Sequence, residues 1–226
     1  MSPKRKALIA VALAALLLVV FIATNPRSQF VIGGALVNVG FRLQDHLHAY
    51  DFEHGHDITP AEVWTEFERQ NELSASVRNR FPRSTEHPVI AMLVCMDARI
   101  DTAELAGDTR RYYYVVRTAG SVLSAEEQEM LELAVQNGVK VIVLTRHTDC
   151  AAEKAAADPE KRKAYPVLTT AVDERDKRIA EFLARPVIAD RIAKGELLVK
   201  NLVIDTRSDH LVTDMPGTLV APPPGH

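Results

Sequence analysis

The sequence predicts an α/β protein in which helices flank a mainly parallel β-sheet, preceded by one transmembrane helix. From residue 89 onward, apolar runs of strand length alternate with helical segments, as they do in proteins built on a parallel sheet. Helix-start signals precede two of the helical segments. An uncharged apolar run near the N-terminus approaches the length that a membrane span needs.

Composition excludes several classes of protein. Of the 226 residues 47% are hydrophobic and 25% are charged, which excludes a disordered chain and a collagen-like repeat. With a formal net charge of −3 and 6% aromatic residues, the chain offers neither a basic face nor a stacking platform for nucleic acid. The two cysteines, Cys95 and Cys150, can form at most one disulfide, so disulfides do not hold this fold together.

Residues 1–24 are predicted to be a membrane anchor. Residues 7–23 are apolar, and as a helix they are roughly 26 Å long against about 30 Å for the hydrocarbon core. A cleaved signal peptide and a buried helix of a soluble protein are the alternatives. Cleavage after Ala23 is disfavoured because Phe21 occupies the −3 position, where a small residue is preferred. The cations at 4–6 outnumber those that soon follow the run, which predicts a single-pass inner-membrane protein with its domain on the periplasmic side.

Residues 25–58 are predicted to connect the anchor to the globular domain. Residues 31–41 are apolar, interrupted by three glycines and too short to span a membrane. They would lie at the membrane surface, pack on a partner, or cover the domain's own core as an irregular segment. Two His-x-His pairs follow, which we interpret as part of a solvated acidic linker, although such pairs can also bind metal. The four histidines are His46, His48, His54 and His56.

The globular domain is predicted over residues 59–216, followed by a disordered tail at 217–226. Thr59 and Glu62 form a capping box, with proline at the first helical position, and open a helix that runs to about Arg80. The apolar residues at three- and four-residue spacing in this helix are expected to be buried. They are Val63, Trp64, Phe67, Leu73 and Val77.

The remaining elements of the domain alternate between strand and helix. A second capping box at residues 124–127 opens a helix that stops near Gly138. Further helices are expected around 172–183 and shortly before Gly195. Strands are expected at 89–94, 112–116, 139–144 and 197–204, with an edge strand at 211–213.

Cysteine and histidine residues follow two of the predicted strands. The strand at 89–94 ends at Cys95, and the strand at 139–144 ends near His147 and Cys150. Ligands gather at the carboxyl ends of parallel strands, where these two thiolates and one imidazole can meet. They suit Zn²⁺ in a tetrahedral site, and three protein ligands leave the fourth position open, as in catalytic zinc sites. Two buried free thiols and a disulfide between the cysteines are the alternatives.

Asp97 and Arg99 follow Cys95 and lie two residues apart, on one side of an extended backbone. An arginine fork can hold a carboxylate in a bidentate pair and keep it ionised. Beside a zinc-activated water, such a carboxylate would accept the proton and orient the oxygen. An ordinary ion pair that caps a helix is the alternative.

Three sequence motifs of this chain, C-M-D-A-R-I-D, V-V-R-T-A-G and V-I-V-L-T-R-H-T-D-C, resemble those of the β-class carbonic anhydrases, over about residues 88–214. The resemblance implies that Cys95, His147 and Cys150 bind zinc and that Asp97 and Arg99 form the catalytic dyad. It also implies an obligate homodimer with active sites near the subunit interface and N-terminal helices that cross onto the partner. In some members of that family the aspartate can occupy the fourth zinc position, which gives a closed, inactive state.

Three positions depart from the usual pattern of that family. Ala151 stands where a glycine usually follows the second cysteine, and Arg146 where a glycine or histidine usually precedes the histidine. Thr118 stands where the usual motif has asparagine. A methyl group at Ala151 is expected to matter if the backbone there approaches the metal or adopts a positive φ. Arg146 is expected either to bind bicarbonate or to face solvent.

The resemblance, taken together with the predicted anchor, therefore predicts a membrane-anchored enzyme that uses Zn²⁺ to hydrate CO2 reversibly to bicarbonate. Two other functions stay open. One is a non-catalytic subunit of a membrane complex in which zinc is structural, and the other is a zinc hydrolase for a CO2 analogue such as COS or CS2.

Overall fold

The structure is a computed structural model and describes residues 2–45, 59–82 and 87–213. The chain divides into two compact units, Met1–Pro82 and Arg83–His226. The four histidines of the predicted linker and the predicted disordered tail lie outside the described residues. The predicted domain boundary at residue 59 stays a prediction.

The first unit contains three helices, α1 (Pro3–Thr24), α2 (Pro26–Asp45) and α3 (Pro60–Arg80). Within the described ranges, α1 is the one helix long and apolar enough to cross a membrane, and its apolar window is fully exposed. Asn25 separates α1 from α2: its N–H donates to the Phe21 carbonyl, and its side-chain oxygen accepts from the Ser28 N–H at 3.1 Å. By length and composition, α1 fits both a membrane anchor and a signal sequence.

Residues 31–41 are helical, so the expectation of an irregular segment there is wrong. Helix α2 runs through all three of the glycines that suggested an interruption. Glycine lowers helix stability by about 1 kcal/mol relative to alanine but does not by itself end a helix. A Cβ built on Gly33, Gly34 or Gly40 would meet nothing within 4 Å, so packing does not require these glycines.

Helix α3 has the predicted bounds, but its predicted buried face is exposed. The capping box is present: the Thr59 N–H donates to Glu62 Oε2 at 2.8 Å, and the Glu62 N–H donates to Thr59 Oγ1 at 3.3 Å. The five apolar residues expected in the core are between 43% and 58% exposed. Periodicity shows which residues share a helix face, whereas burial also needs another element against that face. The prediction of a buried face was therefore wrong.

The second unit is built on a five-stranded sheet with the strand order β2-β1-β3-β4-β5. Strands β1 to β4 are parallel to one another, and β5 pairs antiparallel with β4 at the edge. This confirms the predicted α/β fold with a mainly parallel sheet. The strands are β1 (Ile90–Cys95), β2 (Tyr113–Thr118), β3 (Val141–His147), β4 (Leu198–Asp205) and β5 (His210–Thr213).

Helices connect the strands of this sheet. The capping box of α5 is present as predicted, with the Ser124 N–H donating to Glu127 Oε2 at 2.8 Å. The helix expected around residues 172–183 is present but begins at Arg175. Residues 172–173 belong to the preceding helix, which is capped at its C-terminal end by Glu174, whose N–H donates to the Thr170 and Val172 carbonyls. The helices are α4 (Thr102–Ala106), α5 (Ala125–Gln136), α6 (Ala151–Ala157), α7 (Pro159–Ala164), α8 (Pro166–Asp173), α9 (Arg175–Leu183) and α10 (Pro186–Ala193), and a 3-10 turn covers Ala119–Ser121.

Two buried apolar clusters pack against the sheet. Alternate residues of β1 divide between them: Ala91 and Leu93 belong to one, Met92 and Val94 to the other, as expected where both faces of a strand are covered. The second cluster also contains Cys95, at the carboxyl end of β1. The core thus places a thiol at the sheet edge where ligands bind in folds of this kind.

Candidate metal centre

The structure brings together the three residues that the sequence singled out as metal ligands. Cys95 is the last residue of β1, His147 is the last residue of β3, and Cys150 directly precedes α6. Because β1 and β3 are parallel neighbours, their carboxyl ends lie at the same edge of the sheet. One ligand atom from each residue lies within 4.8 Å of the other two, and all three residues are buried.

The donor atoms of this cluster fit a metal ion. His147 Nδ1 lies 2.9 Å from the Thr148 carbonyl oxygen, which can only accept, so Nδ1 carries the hydrogen and Nε2 presents its lone pair. Nε2 is buried without a hydrogen-bond partner among the described residues. A buried polar atom normally has a hydrogen-bond or metal partner. One imidazole nitrogen with two cysteine sulfurs is a ligand set that binds zinc in proteins.

The two thiols shift each other's pKa in opposite directions. Both cysteines are free and buried. A hydrogen bond from the Cys150 thiol lowers the pKa of Cys95, against the effect of burial, while the charged Cys95 sulfur and burial raise the pKa of Cys150. Burial pulls the pKa of His147 down, but the adjacent Cys95 sulfur raises it above its ordinary value. A bound cation would take the place of these protons and let both sulfurs be thiolates.

A tight turn after β2 packs against this cluster. Gly120 adopts φ +62°, and a Cβ there would lie 3.1 Å from Val172 Cγ2 and 3.2 Å from the Ala152 Cβ, so the position requires glycine. The backbone N–H groups of Asp97 and Gly120 stabilise a charged Cys95 sulfur and lower the pKa of that thiol. The turn therefore contributes a backbone donor to the site.

Asp97 and Arg99 form the predicted bidentate pair. Arg99 Nε donates to Asp97 Oδ1 at 3.0 Å, and Arg99 Nη2 donates to Asp97 Oδ2 at 2.8 Å. These bonds, with a third from the Arg99 backbone N–H, hold the pKa of Asp97 well below its usual range. The carboxylate is therefore ionised and fixed in orientation by Arg99, and it is not one of the three clustered ligand groups.

Two further residues position this pair, and the sequence analysis missed both. Arg99 Nη1 donates to Asp149 Oδ2 at 3.0 Å, which joins the loop after β1 to the loop after β3. Arg117 Nη2 donates to the Asp97 and Ile100 carbonyls, each at 2.9 Å. Asp149 and Arg117 both lie within the motifs quoted above. The motifs include these positions, but spacing alone did not predict the contacts that they make.

The three departures from the family pattern are accommodated differently. Ala151 is exposed at the start of α6, and the positive φ of this loop is at Asp149, so the expected conflict does not arise. Arg146 pairs with Asp176 and is one residue from His147, so the two side chains leave opposite faces of the strand. Thr118 Oγ1 is buried with no hydrogen-bond partner among the described residues.

A mainly parallel sheet with a buried cysteine–histidine–cysteine cluster at its carboxyl edge defines an α/β protein with a site that could hold a metal ion. The family model described as carbonic anhydrase matches residues 90–206, just over half of the chain. The chain belongs to the β-carbonic anhydrase family.

Comparisons with individual proteins agree with this membership. Beta-carbonic anhydrase 1 of Mycobacterium tuberculosis and of Mycobacterium bovis are each 34% identical to this chain over 74 residues, which is 32% of this chain and 45% of theirs. The match thus spans under half the length of these curated relatives.

Solved structures show the same fold. The carbonic anhydrase from Streptococcus mutans has a TM-score of 0.50 and 18% identity, over 65% of this chain and 96% of that one. The β-carbonic anhydrase CafA of Aspergillus fumigatus has a TM-score of 0.51 and 19% identity, over 68% of this chain and 90% of that one.

Proposed function

We propose that this protein hydrates CO2 reversibly to bicarbonate at a zinc ion held by Cys95, His147 and Cys150. The observation that carries the proposal is the buried, unpartnered Nε2 of His147 beside two buried sulfurs, in a chain of the β-carbonic anhydrase family. Three protein ligands leave one zinc position open for the reaction.

Zinc, when bound, supplies the nucleophile, because it lowers the pKa of water to about 7 in the carbonic anhydrases that hold it with three histidines. In this site the two sulfurs donate more charge to the ion than imidazoles would, so the corresponding pKa is expected to be higher.

The Asp97 carboxylate accepts a hydrogen bond from the nucleophile and orients it, while the proton that the nucleophile loses passes to solvent. It is suited to this role because Arg99 keeps it ionised and holds both of its oxygens. Arg99 is in turn tied to Asp149, so the carboxylate cannot easily rotate away. The Arg99 side chain is 46% exposed, which places the pair beside solvent, where the proton must finally go.

The proposal is tested by a CO2 hydration assay on the purified full-length chain in detergent. We expect activity that disappears when a chelator removes zinc and returns when zinc is added back. Stoichiometric zinc without CO2 hydration at any pH would contradict the proposal and favour a non-catalytic subunit with structural zinc. Hydrolysis of COS or CS2 in place of CO2 would favour the alternative substrate.

We also propose that α1 anchors the protein in the cytoplasmic membrane with the zinc domain on the periplasmic side. Helix α1 is apolar and exposed along its length, and three cations precede its apolar run. Protease added to intact spheroplasts that express the full chain is expected to digest the domain while cytoplasmic marker proteins survive. Protection of the domain until lysis would reverse the orientation without affecting the zinc chemistry.

We further propose that the protein is a homodimer, with its active sites near the subunit interface. Two exposed surfaces support this proposal. Strand β2 lies at the edge of the sheet and exposes Tyr114 and Val115, and the apolar residues of α3 are exposed. A second copy of the chain would bury such surfaces.

A further inference from the structure

We infer that Arg175 is a positioning residue that ties together the two segments that carry Cys95 and Cys150. This inference rests on one part of the proposed function, that the site holds zinc, and does not require CO2 hydration. Arg175 lies outside all of the motifs that identify the family, and the mechanism above does not use it.

The Arg175 side chain joins two parts of the chain that flank the thiols. Arg175 is the first residue of α9 and is only 6% exposed. Its Nη1 donates to the Gly120 carbonyl at 2.8 Å, and its Nη2 donates to Glu153 Oε1 at 2.6 Å. Glu153 lies on the first turn of α6, directly after Cys150. One buried guanidinium therefore holds the turn after β2 and the helix after Cys150 at the same time.

The residues that Arg175 holds also face the thiols. The turn that contains Gly120 contacts both β1, which ends at Cys95, and α6. The Gly120 N–H stabilises a charged Cys95 sulfur, and the backbone N–H groups of Ala152 and Glu153 do the same for Cys150. A shift of either segment would move these donors relative to the sulfurs, and with them the ligand geometry.

The turn needs such a support because its backbone conformation is unfavourable. Gly120 and Ser121 have φ values of +62° and +53°, and a non-glycine residue at positive φ is strained. The Gly120 carbonyl accepts from a charged donor in a buried setting, where an unpaired carbonyl would be destabilising. Arg175 thus supplies the partner that keeps this turn in place.

The experiment measures zinc affinity by competition with a chelator, together with the thiolate charge-transfer absorption of the cobalt(II)-substituted protein. The variant is Arg175→Met in the full-length chain, and the matched control is Arg178→Met on the same helix, where Arg178 pairs with Glu174 at 2.9 Å. Partners that orient metal ligands typically account for about 10- to 100-fold in metal affinity. We expect a loss of that size and an altered cobalt spectrum for Arg175→Met, with the parent's affinity and spectrum for Arg178→Met.

A folded Arg175→Met protein with the parent's zinc affinity and cobalt spectrum would overturn the inference, and so would an equal loss in Arg178→Met. If Arg175→Met does not fold, the Glu153→Gln variant tests the inference instead. It keeps the size of the side chain but removes the negative charge that pairs with Arg175. It should bind zinc more weakly than the parent, and unchanged affinity would count against the role of Arg175. A parent chain that binds zinc but does not hydrate CO2 would contradict the proposed function alone, whereas a parent that binds no zinc would overturn both.

Discussion

Replacing Cys95 with serine is expected to abolish stoichiometric zinc binding, and CO2 hydration is expected to be lost with it. The sulfur of Cys95 is already favoured in its charged form, because the Cys150 thiol and two backbone N–H groups stabilise it. A serine hydroxyl stays protonated near neutral pH and is a poorer ligand for zinc than a thiolate. The same result is expected for Cys150→Ser.

The loss should also be visible in stability, because an ion that binds only the folded state stabilises it. Free zinc at about 1,000 times its Kd would contribute about 4 kcal/mol. For a chain of this size, that corresponds to an increase of about 8–16 °C in Tm. The parent protein should show this zinc-dependent increase, and Cys95→Ser should not.

Metal analysis and thermal unfolding with and without zinc check this prediction. Met96→Ser is the matched control, since Met96 is the next residue in the chain and is 65% exposed. It should bind zinc like the parent. Stoichiometric zinc in both Cys95→Ser and Cys150→Ser would show that the ligand assignment is wrong.

Asp97→Asn is expected to keep zinc and lose activity by about 100-fold or more, the scale of loss that follows when a reacting group is misplaced. An asparagine side chain has one oxygen acceptor instead of two, and its NH2 group would face the Arg99 fork, which now donates two hydrogen bonds to the Asp97 carboxylate. Arg99→Ala should show a similar defect, because it frees the carboxylate to rotate. Because the pKa of Asp97 lies well below its usual range, the carboxylate stays ionised throughout the assay range, and the size of the deficit should not vary with pH.

The chain contains a matched control for this variant. Asp108 and Arg110 are also two residues apart and form the same bidentate pair, with Arg110 Nη2 donating to Asp108 Oδ2 at 2.9 Å, and Arg110 lowers the pKa of Asp108 to about 2. Asp108→Asn should leave CO2 hydration unchanged. Hydration rates and zinc content, measured side by side, separate the two positions. An Asp97→Asn protein as active as the parent would contradict the proposed role of the carboxylate.

The sequence by itself determined the fold class and the residue types of the candidate site. Apolar runs predicted strands β1 and β3, capping boxes predicted the starts of α3 and α5, and the residues that end the strands predicted where thiols and imidazole would meet. These features are local: they depend on residues within a few positions of one another, or on the rule that parallel strands end at one edge of the sheet. They could therefore be predicted from the sequence without knowing how the chain folds.

Only the tertiary structure decided which residues support the site and which apolar faces are covered. Arg175 meets Gly120 and Glu153, and Arg99 meets Asp149, across long stretches of sequence that carry no shared pattern. The apolar stripe on α3 predicted a core face, yet its residues are exposed, because a stripe does not reveal what lies against it. Contacts between residues distant in the sequence depend on how the chain folds back on itself, and local periodicity and spacing carry no information about that path.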